Sequence, residues 1–209
     1  MIDLTDAVAL AGIALAAYAG CLGLIGAAKG TSFTPHYALV LLTFLALFVL
    51  LVPLQNSLSL AGFIRGMSSD LSTTLVALSG WSVCHRFGLA KPVDDWEFGV
   101  LMLALVCGAL FLYPAALGWG DWDGYRLGWG SWWFLAALLG VCMAGAGLGL
   151  RVLPALIAVA VLAWSFGWMA SSNLWDYLLD PWLSAYALVF VFIKCWLSAI
   201  RRLANRSAH

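Results

Sequence analysis

Charge is scarce in this sequence. Lys, Arg, Asp and Glu make up 10% of its 209 residues, ten basic against ten acidic, so the formal net charge is zero. A soluble domain carries about a quarter of its residues charged, so a water-covered globule is excluded. Balanced charge also leaves no basic arm or stripe for nucleic acid and no acidic tail. Patterned cysteine is missing too: Cys21, Cys84, Cys107, Cys142 and Cys195 stand singly in apolar runs, without C-x-x-C and without His at ligand spacing. They read as small packing hydrophobes, and neither a cofactor nor a metal site is expected. No Lys or Arg precedes the first apolar run in MIDLTDAVAL, the wrong electrostatics for a cleaved signal peptide. That run is expected to remain in the mature protein.

What the sequence has in abundance is apolar length: 64% of residues are hydrophobic. About 20 apolar residues cross a bilayer as a helix, and seven runs approach that measure, at about residues 7–28, 37–55, 70–87, 98–118, 132–150, 152–171 and 182–200. The third is rich in Ser and Thr and follows PLQNSLSLAGFIRGMSSD, which reads as a helix end or a re-entrant loop. The expected fold is all-α, a polytopic membrane helix bundle of seven transmembrane helices, with six as the alternative. Residues 1–209 form one such domain, with short loops and a short basic tail.

Lys and Arg gather on the cytoplasmic side of short loops. With seven spans and the tail inside, the inner connectors hold Lys29, Arg86, Lys91, Arg151, Arg201, Arg202 and Arg206, the outer ones only Arg65 and Arg126. The expected topology is therefore N-out and C-in, multi-pass, in the inner (plasma) membrane. Lys194, the one ionisable residue deep in a span, lies seven residues before Arg201 and is expected to snorkel to the inner headgroups.

The outer side then collects aromatic and acidic residues. Trp119, Trp122, Trp129, Trp132, Trp133, Trp168, Trp175 and Trp182 fall at outer ends, eight of the twelve tryptophans, where an interfacial belt is the plain explanation. A belt does not require rings inside a connector, yet GWGDWDGYRLGWG interleaves Trp119, Trp122, Tyr125 and Trp129 with Asp121, Asp123, Arg126 and five glycines. Flat rings beside carboxylates suit sugars and choline-like cations. Although D-x-D-G resembles part of a calcium loop, Trp119 and Gly130 stand where further acids are required. Arg65, Asp70 and Asp176 complete the outer candidates.

Three functions fit this pattern. The first is a non-catalytic accessory or binding module whose outer rim contacts membrane lipid, a lipid-linked glycan or another membrane protein. The second is an enzyme on a lipid substrate, with Asp121, Asp123, Asp70 or Asp176 as acid or base and Arg65 or Arg126 on phosphate. A small channel or facilitator is the third, lined by Gln55, Asn56, Ser72, Thr73, Thr74, Ser79 and Ser82. Small-residue ridges, such as Gly12, Ala16 and Gly20, allow close helix packing within the bundle or across a homo-oligomer.

Overall fold

The computed structural model describes residues 4–29, 35–51, 59–119 and 123–206, and among them there is no strand. The seven apolar runs become α1 (Leu4–Lys29), α2 (Pro35–Leu51), α4 (Thr73–Arg86), α5 (Asp95–Ala116), α6 (Trp132–Gly147), α7 (Val152–Ser165) and α9 (Pro181–Arg206). Two short helices, α3 (Leu60–Ser68) and α8 (Leu174–Leu178), occupy connectors. Three segments are long and apolar enough to cross a membrane: Thr5–Leu24, Asp95–Ala116 and Pro181–Arg202. At a helical rise of about 1.5 Å per residue each reaches about 30 Å, the thickness of a hydrocarbon core. The helices at Tyr37–Val49, Trp132–Gly147 and Val152–Ser165 are apolar but shorter.

Apolar side chains face outward. Val40, Phe44 and Phe48 of α2, and Val189, Phe192 and Trp196 of α9, are exposed. In water such surface costs about 25 cal/mol per Å², a penalty that hydrocarbon removes. The long apolar helices and this outward surface together mark a membrane protein.

Backbone contacts divide the chain into two compact units, Met1–Pro92 with Leu156–Leu178, and Val93–Ala155 with Leu179–His209. In the first unit α1 and α4 run parallel, because Gly12 faces Val76, Gly80 faces Leu15 and Gly23 lies near Arg86. A Cβ on Gly12 would meet a Val76 methyl at 3.0 Å, so the helices meet where a side chain is missing. Gly20, expected on the same ridge, faces open space. α2 is antiparallel to α1: the Tyr18 hydroxyl donates to the Ala38 carbonyl at 2.9 Å, and Ile13 clusters with Val49. Leu60, Ala61 and Ile64 bring α3 onto that cluster, so α3 belongs to the end where α1 and α4 begin. Ser59 and Ser72 start α3 and α4, their hydroxyls accepting from the Gly62 and Leu75 amides at 3.1 Å, as helix N-caps do.

In the second unit α5 packs on α9. Phe98 meets Phe190 edge to face at 5.2 Å between ring centres, and the Tyr113 and Ser184 hydroxyls share a 3.2 Å hydrogen bond. Asp180 caps α9, accepting from the Leu183 amide at 2.8 Å, with Pro181 as first helical residue, where its missing N–H costs nothing. Glu97, buried on α5, accepts hydrogen bonds from the Arg151 and Val152 amides at the start of α7. The Lys194 ammonium lies 5.5 Å over the Phe190 ring, one turn back along α9, within the reach of a cation–π contact.

Candidate ligand-binding cleft

The starts of α1 and α4, the end of α3 and the segment after α7 converge at one end of the first unit. Asp6 comes from the first turn of α1, Arg65 from the last turn of α3, and Asp70 from the link into α4. Arg65 Nε donates to Asp70 Oδ1 at 2.7 Å, and one terminal guanidinium nitrogen donates to Asp6. Asp70 spends its second oxygen on the Ala170 amide at 3.1 Å. Its side chain is only 7% exposed, against 25% for Arg65 and 40% for Asp6, so the inner pair is the shielded one. Hydrogen bonds donated to Asp6, and then to Asp70, hold the guanidinium even further above its ordinary pKa.

The backbone gives something up to place Asp70. Ser69, just before it, has φ 63° and ψ −163°, a region that L side chains rarely adopt. That turn ends α3 and directs the chain into the Ser72 cap.

On the other side, the segment after α7 folds over the start of α4. Gly167 ends α7 with φ +63°, and the Trp168 amide reaches back to the Ala163 carbonyl at 3.1 Å, a Schellman closure that needs a left-handed residue. Tyr177 then fixes the loop. Its hydroxyl accepts from the Met169 amide at 3.1 Å and reaches the Ser171 carbonyl at 3.0 Å, while Thr74 donates to the Tyr177 carbonyl at 3.2 Å. Burial, reinforced by the Asp70 and Asp176 carboxylates, raises the Tyr177 phenol above its ordinary pKa, with the Met169 backbone hydrogen bond opposing. Asp176 accepts from the Ser171 hydroxyl, and buried Asn173 accepts from the Trp175 amide at 2.9 Å.

Beneath this polar end lies a cleft of about 360 Å³. Asp70, Thr73, Trp168 and Met169 form its mouth; Gly12, Leu15, Val76, Ala77, Gly80 and Val159 form its walls. Gly80 lies seven residues beyond Thr73, so the cleft descends about 10 Å along α4. Its volume and its mostly apolar lining, with a few polar groups gathered at one end, are those of a small-ligand site.

The glycine-rich hairpin belongs to the second unit. Asp121 and Trp122 lie outside the described residues. Gly118 turns the chain at φ +81°, and Tyr125–Gly128 form a single 3-10 turn that touches α5 and α6. Asp123 Oδ1 accepts from the Tyr125 and Arg126 amides at 3.1 and 3.3 Å, so this carboxylate closes the turn. Tyr125 meets Trp129 edge to face at 6.3 Å. Arg126 is exposed and makes no ion pair with a described residue. Trp119 borders an open apolar groove of about 520 Å³ with Leu117, Pro181 and Leu188.

The candidates thus fall into two sets: Arg65, Asp70 and Asp176 in the first unit, and Trp119, Asp123, Tyr125, Arg126 and Trp129 in the second. Of the expected interfacial tryptophans, Trp119, Trp129, Trp132, Trp133, Trp168 and Trp182 are exposed, whereas Trp175 is buried. Sequence reading missed Asp6 as a partner of Arg65, Tyr177 as the fastener of its loop, and the cleft itself. Gly12 and Gly80 were the available signal, since bare positions on two apolar helices leave room. No cluster of three or more His, Cys, Asp or Glu side chains gathers at metal-binding spacing among the described residues. The chain matches no family model, no curated protein and no solved structure.

Proposed function

We propose that the chain is a multi-pass protein of the inner (plasma) membrane, a single transmembrane domain of seven spans with its N-terminus outside, which works as a non-catalytic module that binds a membrane lipid. The observation that carries the reading is the cleft of the first unit, apolar along its walls and polar only at its mouth. A lipid has the same division. Competing readings draw less support. Asp70, Asp123 and Asp176 each accept a hydrogen bond from backbone, guanidinium or hydroxyl, which gives each carboxylate a structural task. The Ser and Thr residues proposed to line a channel include Ser72 and Thr74, whose hydroxyls bond to Leu75 and Tyr177.

Charge within the first unit supports the orientation. Asp6, Arg65, Asp70 and Asp176 stand at the end where α1 and α4 start, while Lys29, Arg86 and Lys91 stand where they finish. Basic residues mark the cytoplasmic side, which puts the mouth of the cleft outside. α4 and α7, 14 residues each, extend about 21 Å, and their flanking turns complete the crossing.

Lipid retention tests this reading. The protein, released from its membrane in mild detergent, is expected to carry a bound lipid by native mass spectrometry, and Ala77→Leu, which fills the cleft, is expected to release it. Equal lipid content in both forms sinks the proposal. A C-terminal reporter active only in the cytoplasm checks the orientation, and an inactive reporter reverses it.

A further inference from the structure

Resting on the lipid-binding reading, we infer that the cleft selects an amphiphile with an ammonium head. The groups at the mouth point to positive charge. Asp70 faces the cleft with a shielded carboxylate, Thr73 adds a hydroxyl, and Trp168 presents a half-exposed indole. Arg65 is shared between Asp6 and Asp70, so one guanidinium is divided between two carboxylates, and the charged side chain that lines the cleft is Asp70. An anionic head would meet that carboxylate in a partly desolvated setting, where charge interactions are stronger than in water. A head bearing N–H donors finds carboxylate and hydroxyl oxygens, and its positive charge finds the face of an indole.

The tail requirement follows from the walls. Val76, Ala77 and Gly80 of α4 line a path without polar atoms, wide because Gly80 bears no side chain. A Cβ there would rest 3.6 Å from a Leu15 methyl, in ordinary contact. One alkyl chain can follow this path, entering the cleft below the mouth while its head stays beside Asp70.

Equal amounts of dodecylammonium, dodecylglycerol and dodecylphosphonate, offered to the delipidated full-length protein in a non-ionic detergent and read by native mass spectrometry, test both parts. The ammonium probe is expected to bind about tenfold or more tightly than the phosphonate, the ratio expected for one charge-assisted hydrogen bond, with the neutral glycerol between them. Asp70→Asn is expected to erase most of that ratio, and Trp168→Ala to lower ammonium binding alone. Ala77→Leu is expected to weaken all three. Equal binding of the probes, still weakened by Ala77→Leu, overturns the choice of head and leaves the cleft as a lipid site. If Ala77→Leu weakens none, the cleft reading falls and the inference with it. Should Asp70→Asn fail to fold, the ranking of the three probes on the unaltered protein decides.

Discussion

Glu97 on α5 and Val152 on α7 are joined by a hydrogen bond from the first amide of α7 to a buried carboxylate 55 residues earlier. The neighbouring Arg151 amide donates to the same oxygen. A helix start leaves its first amides without intrahelical partners and carries partial positive charge, so a carboxylate supplied by another helix serves as its cap. Glu97→Ala is expected to cost about 1–2 kcal/mol, the usual worth of an N-cap, and Glu97→Gln less, because an acceptor oxygen remains. Arg151→Ala is expected to leave stability within about 0.5 kcal/mol, since Arg151 takes part through its backbone. Thermal melting in detergent ranks the three, and an Arg151→Ala loss equal to that of Glu97→Ala refutes the capping role.

The two carboxylates of Arg65 are unequal, and their variants separate them. Asp6 is the more exposed partner, so Asp6→Asn is expected to cost about 0–1 kcal/mol, as surface pairs do. Arg65→Ala takes the guanidinium from the shielded Asp70 and leaves it the Ala170 amide. Breaking a buried pair costs about 3–5 kcal/mol; with Arg65 a quarter exposed, about 3 kcal/mol is expected. Unfolding in denaturant measures both changes, and equal losses contradict the assignment of Asp70 as the shielded partner.

Ser69 offers a test in the opposite direction. Glycine adopts φ 63° without the steric cost borne by serine, so Ser69→Gly is expected to stabilise the protein by up to about 1 kcal/mol, net of the entropy that glycine adds to the unfolded chain. Ser69→Val is expected to destabilise it, because a β-branched residue tolerates that conformation worst. A lower melting temperature for the glycine variant means that the Ser69 hydroxyl contributes more than the strain costs.

Hydrophobic patterning made the helices legible. Each apolar run became a helix with its ends shifted by a few residues, because length and composition decide what hydrocarbon accepts. The short helices were harder to read: α3 mixes Leu60, Ala61 and Ile64 with Arg65 in nine residues, too few to display a period against the surrounding apolar chain. The cleft was less legible still. It depends on Gly12 meeting Val76 and on Asp70 meeting Arg65 and Ala170, pairings separated by up to 100 residues that no local pattern encodes. Asp123, by contrast, stood out in the sequence for its company of tryptophans, and its carboxylate closes the turn at Tyr125 and Arg126.

Tyr177 links the loop over the cleft to pH. Its phenol is neutral in the fold and its pKa lies above the ordinary value, chiefly through burial. For a group whose pKa is raised on folding, the stabilising contribution is complete below the unfolded pKa, about 10 for tyrosine. It is lost as pH rises through the higher folded value. At neutral pH Tyr177→Phe is expected to cost about 1–3 kcal/mol, because the Met169 amide loses its acceptor in a partly buried setting. Above about pH 10 the unaltered protein also begins to lose stability through ionisation of Tyr177, a loss that phenylalanine cannot suffer, so the gap between the two melting temperatures is expected to narrow. Melting curves of both proteins from neutral pH to about pH 11 decide it, and a gap that widens with pH reverses the assignment of Tyr177 as a phenol kept neutral by its surroundings.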